Sequence, residues 1–261
     1  MITFTYSIAF FMTIFFTSIS TTINAEPVIR IVTEEMSPLS YLDTKDSTVK
    51  GIHTDLIRAA MDAVGLEYKI EILPWVRAFR EAQNKPNIII YTMGKTPERL
   101  DDFIWFHRVY DITYDLYGLK SNKTIFESSI SSLKRLSVAV SKDDAAHIFL
   151  EKRGYNNRVY INNYEQMMTL LKRGRVDMIA SNNIGIYQAF KKNPEDSKDI
   201  VRLDASISPV VESYFAMNKN SDPELVKRVQ QGFQKIIKNG LYNNIMSRLP
   251  NFLTKKSVLD K

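Results

Sequence analysis

Cysteine is absent from all 261 residues of the chain. That excludes a disulfide scaffold and a thiolate metal site, and it removes the residue that carries a lipid anchor at the start of a mature exported chain. Histidine is scarce: His53, His107 and His147 stand far apart with no ligand spacing between them, so no metal is expected. There is no Gly-x-Ser-x-Gly, no phosphate loop and no dinucleotide fingerprint, so no specific catalytic motif is found and no cofactor is expected. Internal repeats and low-complexity tracts are also missing.

Charge is missing from one segment. Residues 1–25 contain no Lys, Arg, Asp or Glu, and Phe4 to Ile19 is rich in Phe and Ile. The segment closes on Ile23-Asn24-Ala25, with a small residue where a signal peptidase needs one, and charged sequence begins at Glu26. A secretory signal peptide over 1–25, cleaved after Ala25, is expected; its only early positive charge is the α-amino group of Met1. The alternative, an uncleaved anchor, is disfavoured because the apolar stretch is short and broken by Thr and Ser. With no cysteine to lipidate, the mature chain is expected free in the periplasm of a double-membraned bacterium.

The remainder has the composition of a soluble globular protein, 44% hydrophobic and 25% charged over the whole chain. Its length suits two compact lobes. The net charge of +6 does not point to nucleic acid, because Lys and Arg are spread among 29 acids with no basic stripe and no interleaved aromatics.

Periodicity gives an alternating order of elements. Val28 to Thr33 reads as a strand, Asp55 to Val64 as an amphipathic helix closed by Gly65, Tyr68 to Leu73 as a half-buried strand, Trp75 to Gln83 as a helix and Ile88 to Tyr91 as a buried strand. A second unit begins near Leu136, with strands at 136–140, 159–161, 176–180 and 200–203 and helices at 144–152, 164–172 and 183–191. Two extended segments, Thr113 to Leu119 and Pro209 to Met217, bracket it. A capped helix then starts at Ser221-Asp222-Pro223 and carries Leu225, Val229, Phe233 and Ile236 at helical spacing. The fold class expected is α/β and two-lobed, with lobe 1 discontinuous over 26–118 and 212–261, lobe 2 inserted over 119–211, and two hinge strands beside a ligand cleft.

The stretch Thr92-Met93-Gly94-Lys95-Thr96-Pro97-Glu98-Arg99 follows a buried strand directly. It puts Arg99 at a sheet's carboxyl edge, where open α/β sheets bind small ligands. A guanidinium there suits a carboxylate, and the bland alternative is a surface pair with Asp101 or Asp102. Thr92 and Gly94 share the turn. Pro74-Trp75-Val76-Arg77 delivers Trp75 and Arg77 near the same edge, an indole face beside a cation, with a core cap and a surface helix residue as the plain alternatives. Glu34 or Glu35 follows the first strand, and at most one of these neighbours faces the cleft. Trp105 and Phe106 are expected to pack behind the site.

The Thr-x-Glu-Arg turn resembles that of the periplasmic solute-binding proteins of family 3, the amino-acid type with the type II periplasmic-binding-protein fold. Gly51-Ile52-His53-Thr54-Asp55-Leu56 is similar to the family's Gly-Phe-Asp-x-Asp-Leu, Gly174-Arg175-Val176-Asp177 to its Gly-x-x-Asp strand, and Leu241-Tyr242-Asn243-Asn244-Ile245 to its Gly-x-Tyr-x-x-Ile finish. The resemblance covers nearly the whole mature chain. It implies that Arg99 grips a ligand carboxylate, that Tyr41 in Ser37-Pro38-Leu39-Ser40-Tyr41 supplies an aromatic lid, and that Asp177 is structural. It also implies hinge closure and an inner-membrane ABC permease as partner, with the chain acting as a monomer.

Two departures bear on the ligand. Asn182 stands where the family commonly places an acid for the ligand's ammonium. Asp143 and Asp144 open the helix whose free amides would otherwise receive a carboxylate. Both argue against a plain α-amino acid held by the usual pair of opposite charges. Capture of a small polar, carboxylate-bearing solute is the leading function. The alternatives are an enzyme on the same fold, dehydratase-like, with Glu34, His53 or Asp143 as its acid or base, and a soluble sensory partner.

Overall fold

The computed structural model describes residues 28–250. The leader expected over 1–25 and its cleavage after Ala25 lie outside the described residues.

The first half of the chain builds strand β1 (Ile29–Thr33), a small hairpin of β2 (Tyr41–Leu42) and β3 (Val49–Lys50), helix α1 (Ile52–Asp62), β4 (Tyr68–Ile72), α2 (Trp75–Asn84), β5 (Ile88–Gly94) and the long β6 (Phe103–Ile112). The chain then enters β7 (Tyr114–Leu119), short helices α3 (Lys123–Glu127) and α4 (Ile130–Leu133), β8 (Val138–Ser141), α5 (Ala145–Lys152), β9 (Arg158–Ile161), α6 (Tyr164–Lys172), β10 (Met178–Asn182), α7 (Asn183–Lys192), α8 (Asp196–Asp199) and β11 (Ile200–Ser206). It returns through β12 (Val211–Asn218) to finish with α9 (Pro223–Lys238) and α10 (Leu241–Met246).

Two five-stranded sheets result, in the orders β4-β1-β5-β12-β6 and β11-β7-β10-β8-β9. In each, strands joined by helices run parallel (β1 with β4 and β5; β8 with β9 and β10), as crossover connections require. The strands next to the crossings pair antiparallel: β12 with β5 and β6, β7 with β10 and β11. The chain therefore changes sheets at Thr113, ahead of the boundary expected at 118, because β7 is hydrogen-bonded into the second sheet. It returns over residues 207–210, beside the boundary expected at 211. The sequence reading also left out β6, whose aromatic run Phe103 to Tyr110 forms the edge of the first sheet.

The helices start on side chains fitted to the task. Asn163 accepts from Gln166 N at 2.8 Å to open α6, Asn182 accepts from Ile184 N and Gly185 N to open α7, and Asp222 accepts from Glu224 N ahead of Pro223 in α9. In the first sheet's core Phe215 lies between Tyr91 and Phe233, with ring centroids at 5.5 and 4.9 Å. Helices α1 and α9 approach closely at Gly232, where an added Cβ would fall 2.2 Å from the carbonyl oxygen of Ala60. That atom is helix backbone and cannot swing aside. Alanine at position 232 gains about 1 kcal/mol of helix propensity but pushes the helices apart, at about 1–3 kcal/mol for overpacking. Gly232→Ala is therefore expected to be net destabilising, read as a lowered urea midpoint with an unchanged m-value.

Candidate functional site

The carboxyl ends of β1, β4 and β5 in the first sheet meet those of β8 and β10 in the second, and the residues that follow those strands converge on one guanidinium. Arg99 closes a single turn of 3-10 helix at Pro97–Arg99 and is only 2% exposed. Its Nη1 donates to the Gly94 carbonyl at 2.9 Å, and its Nη2 donates to the Asp143 carbonyl at 2.7 Å. One bond lies within the first lobe and the other crosses to the second. The rings of Trp75 and Phe79 lie 5.3 and 4.9 Å from the guanidinium carbon. The surface pair weighed from sequence does not form: Asp102 accepts from Gln83 and lies 3.7 Å from Lys219.

Backbone strain borders this charge. Thr92 and Asp143 have φ of 61° and 59°, a left-handed conformation that is costly for a β-branched residue above all. Thr92 is held there by its Oγ1, 2.9 Å from Nδ1 of His53. His53 is 0% exposed, and burial pushes its pKa down to about 3. It is a neutral core residue beneath the turn and does not reach the cleft as an acid or base. Gly94 sits in a tight place: a Cβ there would lie 3.0 Å from Val211 Cγ1, which would have to give by a few tenths of an ångström, and in ordinary contact, 3.7 Å, with the Tyr114 hydroxyl.

Acids outnumber bases around Arg99. Burial pushes the Glu34 carboxyl well above the usual carboxylate range, the nearby Asp144 adds to the rise and Arg99 opposes it. Asp144 is raised for the same first reason, with Arg99 opposing most strongly. Its Oδ1 accepts from Ala145 N at 2.6 Å and from the Tyr114 hydroxyl at 3.4 Å. Asp143 turns its carboxylate toward Arg80, 3.3 Å away on α2. Asn182 is committed elsewhere: its Oδ1 caps α7, and its Nδ2 donates to the Tyr164 hydroxyl at 3.1 Å. It keeps no free acceptor for an ammonium.

A cavity of about 860 Å3 opens beside this cluster, between Glu34, Glu35 and Trp75 on one side and Tyr164 and the α6–α7 face on the other. Two buried donors of this cluster, Nε1 of Trp75 and Nε of Arg99, have no partner. Of the residues singled out from sequence, the structure gathers Arg99, Trp75, Glu34, Thr92, Gly94, Asp143 and Asn182. It does not bring in two others. Arg77 is exposed and donates to Glu81 on the outer face of α2. Tyr41 pairs with Lys50 in the β2–β3 hairpin and lines a separate groove with Pro38 and Arg248. Phe106 packs on Phe215 and Phe233 in the core, and Trp105 packs on Phe103 and Tyr214. Sequence reasoning missed Phe79, Tyr114 and Tyr164. Tyr114 is the first residue beyond the crossing and Tyr164 the first of a capped helix, and those positions were the available signal.

Among the described residues no group of three or more His, Cys, Asp or Glu could hold a metal ion, and no helix is long and apolar enough to cross a membrane. The sequence matches the family described as bacterial extracellular solute-binding proteins, family 3, over residues 29–249. No curated protein matches it. Among solved structures, the arginine-, lysine-, histidine-binding protein ArtJ from Geobacillus stearothermophilus superposes with a TM-score of 0.72 at 20% identity, covering 90% of this chain and 98% of that one. The substrate binding protein of an amino acid ABC transporter gives 0.71 at 18% identity, covering 85% and 98%. A histidine kinase sensor domain with similarity to periplasmic binding proteins gives 0.72 at 17% identity, covering 85% and 95%. At these identities the likeness establishes the type II periplasmic-binding-protein fold.

The raised carboxyl of Glu34 has a measurable consequence. The native state holds this proton to higher pH than the unfolded chain does, so stability falls as pH rises from the unfolded value toward the folded one. Glu34→Gln removes that slope. The variant is expected to match the parent below about pH 4, the ordinary glutamate range, and to melt higher at pH 7, by roughly 2–4 °C for each kcal/mol recovered. Scanning calorimetry across pH 4–8 reads the difference.

Proposed function

The chain belongs to the bacterial extracellular solute-binding proteins of family 3, and from that premise we propose that it captures a small, carboxylate-bearing, amino-acid-like solute in the periplasm and hands it to an ABC-type importer. One observation carries the reading: Arg99 is a buried cation at the meeting of two sheets, with a free Nε and two desolvated carboxyls opposite it. A solute carboxylate gains a charge-assisted bond from the guanidinium, and a solute ammonium supplies the positive charge that Glu34 and Asp144 lack. Asn182 takes no part in holding that ammonium, because its acceptor is used in the α7 cap. Closure of the lobes about residues 113 and 207–210 buries the solute and forms the face an importer reads.

A second reading rests on the likeness to the histidine kinase sensor domain. In it the same closure signals instead of delivering, and the site chemistry is unchanged.

Calorimetry of residues 26–261 against glutamine, glutamate, lysine, arginine and their analogues lacking the α-amino group tests the site. Arg99→Ala is expected to cost roughly 2–5 kcal/mol of binding, the scale for truncating one partner of a buried charge pair. Arg77→Ala is expected to leave affinity unchanged. Unaltered binding in the Arg99 variant removes that residue from the site.

A further inference from the structure

The cavity is larger than an amino acid needs, and it runs along α6 to the far end of the second lobe. Its lining extends from Trp75 and Glu34 past Tyr164 to Lys172, Gln188 and Asp196. From Tyr164 to Lys172 the axis of α6 covers roughly 12 Å at about 1.5 Å per residue. A lysine side chain has five bonds from Cα to Nζ and reaches roughly 6 Å at about 3.5 Å per three bonds, half that distance.

The far end is built from groups that lack partners. Asp196 is 6% exposed; its Oδ1 lies 2.6 Å from Lys172 Nζ, and its Oδ2 is buried with no partner. Oε1 of Gln188, on the facing helix, is likewise buried and unpartnered. Buried acceptors without donors cost about 1–3 kcal/mol each, so the groove holds an unmet demand for donors. Of the cations lining the groove, Lys172 pairs with Asp196 and Lys192 with Glu165 at 3.0 Å, while Arg173 is exposed to solvent. At the near end the unpartnered atoms are donors, Trp75 Nε1 and Arg99 Nε. The buried unpartnered atoms are thus donors at the near end, where the Glu34 and Glu35 carboxyls also line the groove, and acceptors about three extended residues away.

We propose that the solute is elongated: an amino-acid head at Arg99 carrying a tail about two residues longer than lysine, ending in an amine or amide donor that bonds Asp196 and Gln188. This rests on the binding function proposed above and specifies its substrate class.

The test titrates residues 26–261 with lysine, Nε-glycyl-lysine, Nε-(glycylglycyl)-lysine and Nε-succinyl-lysine. Affinity is expected to rise at least tenfold from lysine to the glycylglycyl form, and the succinyl form, which ends in an acid, should gain nothing. Asp196→Asn should erase the gain while leaving lysine within about twofold. Gln188→Leu, which spares the ion pair with Lys172, should reduce the gain in a variant of parental Tm. Equal affinity along the series, a tighter succinyl form, or a gain untouched by both substitutions overturns the elongated solute, while lysine binding abolished by Arg99→Ala would leave the head site standing. Failure of every probe to bind overturns both.

Discussion

A guanidinium buried between two sheets is the constraint from which the rest of the site follows. An unpaired charge taken out of water costs several kcal/mol, and removing a partner from such a charge is among the most disruptive changes a core can suffer. Arg99 meets this with one carbonyl from the end of β5, one carbonyl from the loop after β8, two aromatic faces and the field of Asp144. Because the two carbonyls belong to different sheets, the interaction that neutralises the charge also joins the lobes. The left-handed backbones of Thr92 and Asp143 are tolerable only inside such an over-determined arrangement, and each lies close to one of the carbonyls that Arg99 uses.

The acids obey the same logic with the opposite sign. Glu34 and Asp144 share the desolvated space and cannot both ionise easily opposite a single cation, so protons are held there to higher pH than in water. On the proposed function a bound cation would replace a proton at these carboxyls and so couple solute charge to proton release. Asp144 has a second duty, capping α5, and Asn182 has the corresponding one at α7. An acid at the α5 cap disfavours an anion docking on that helix end, and an amide at the α7 cap leaves no charge behind it. On the proposed function, recognition of an ionic head would thereby fall to Arg99, Glu34 and Asp144.

Much of this was legible in the sequence because it is local. Strand, helix and cap assignments rest on periods of a few residues, and Arg99 could be placed at a sheet edge from the apolar run that ends at Tyr91. Arg77 shows where local reasoning stops. On a helix, two residues subtend about 200°, so when Trp75 faces the cleft Arg77 faces solvent and finds Glu81. Tyr41 failed for a similar reason: the hairpin with β3 turns it away from the cleft toward Lys50. Glu34 and Glu35 both line the cavity, against the expectation that at most one would, because the loop after β1 is not regular strand; Glu35 also accepts from Leu42 N at 3.0 Å. Tyr164 on α6 and Asp196 on α8 reach the cavity through the packing of α7 against both helices, which no pattern in any one segment records.

The way Arg99 is satisfied without a solute also sets what a solute must offer. Its two bonds to backbone carbonyls use two of the five N–H donors of a guanidinium, so on the proposed function a solute could bond the remaining donors without displacing either carbonyl. A carboxylate would add the opposite charge that the neutral carbonyls do not supply, in a shape suited to a bidentate pair. On the proposed function the unpartnered Nε would give a fork-shaped anion one of its contacts. A neutral solute could, on the same proposed function, bond the same donors but would bring no opposite charge to them, so selectivity would come from charge rather than steric exclusion.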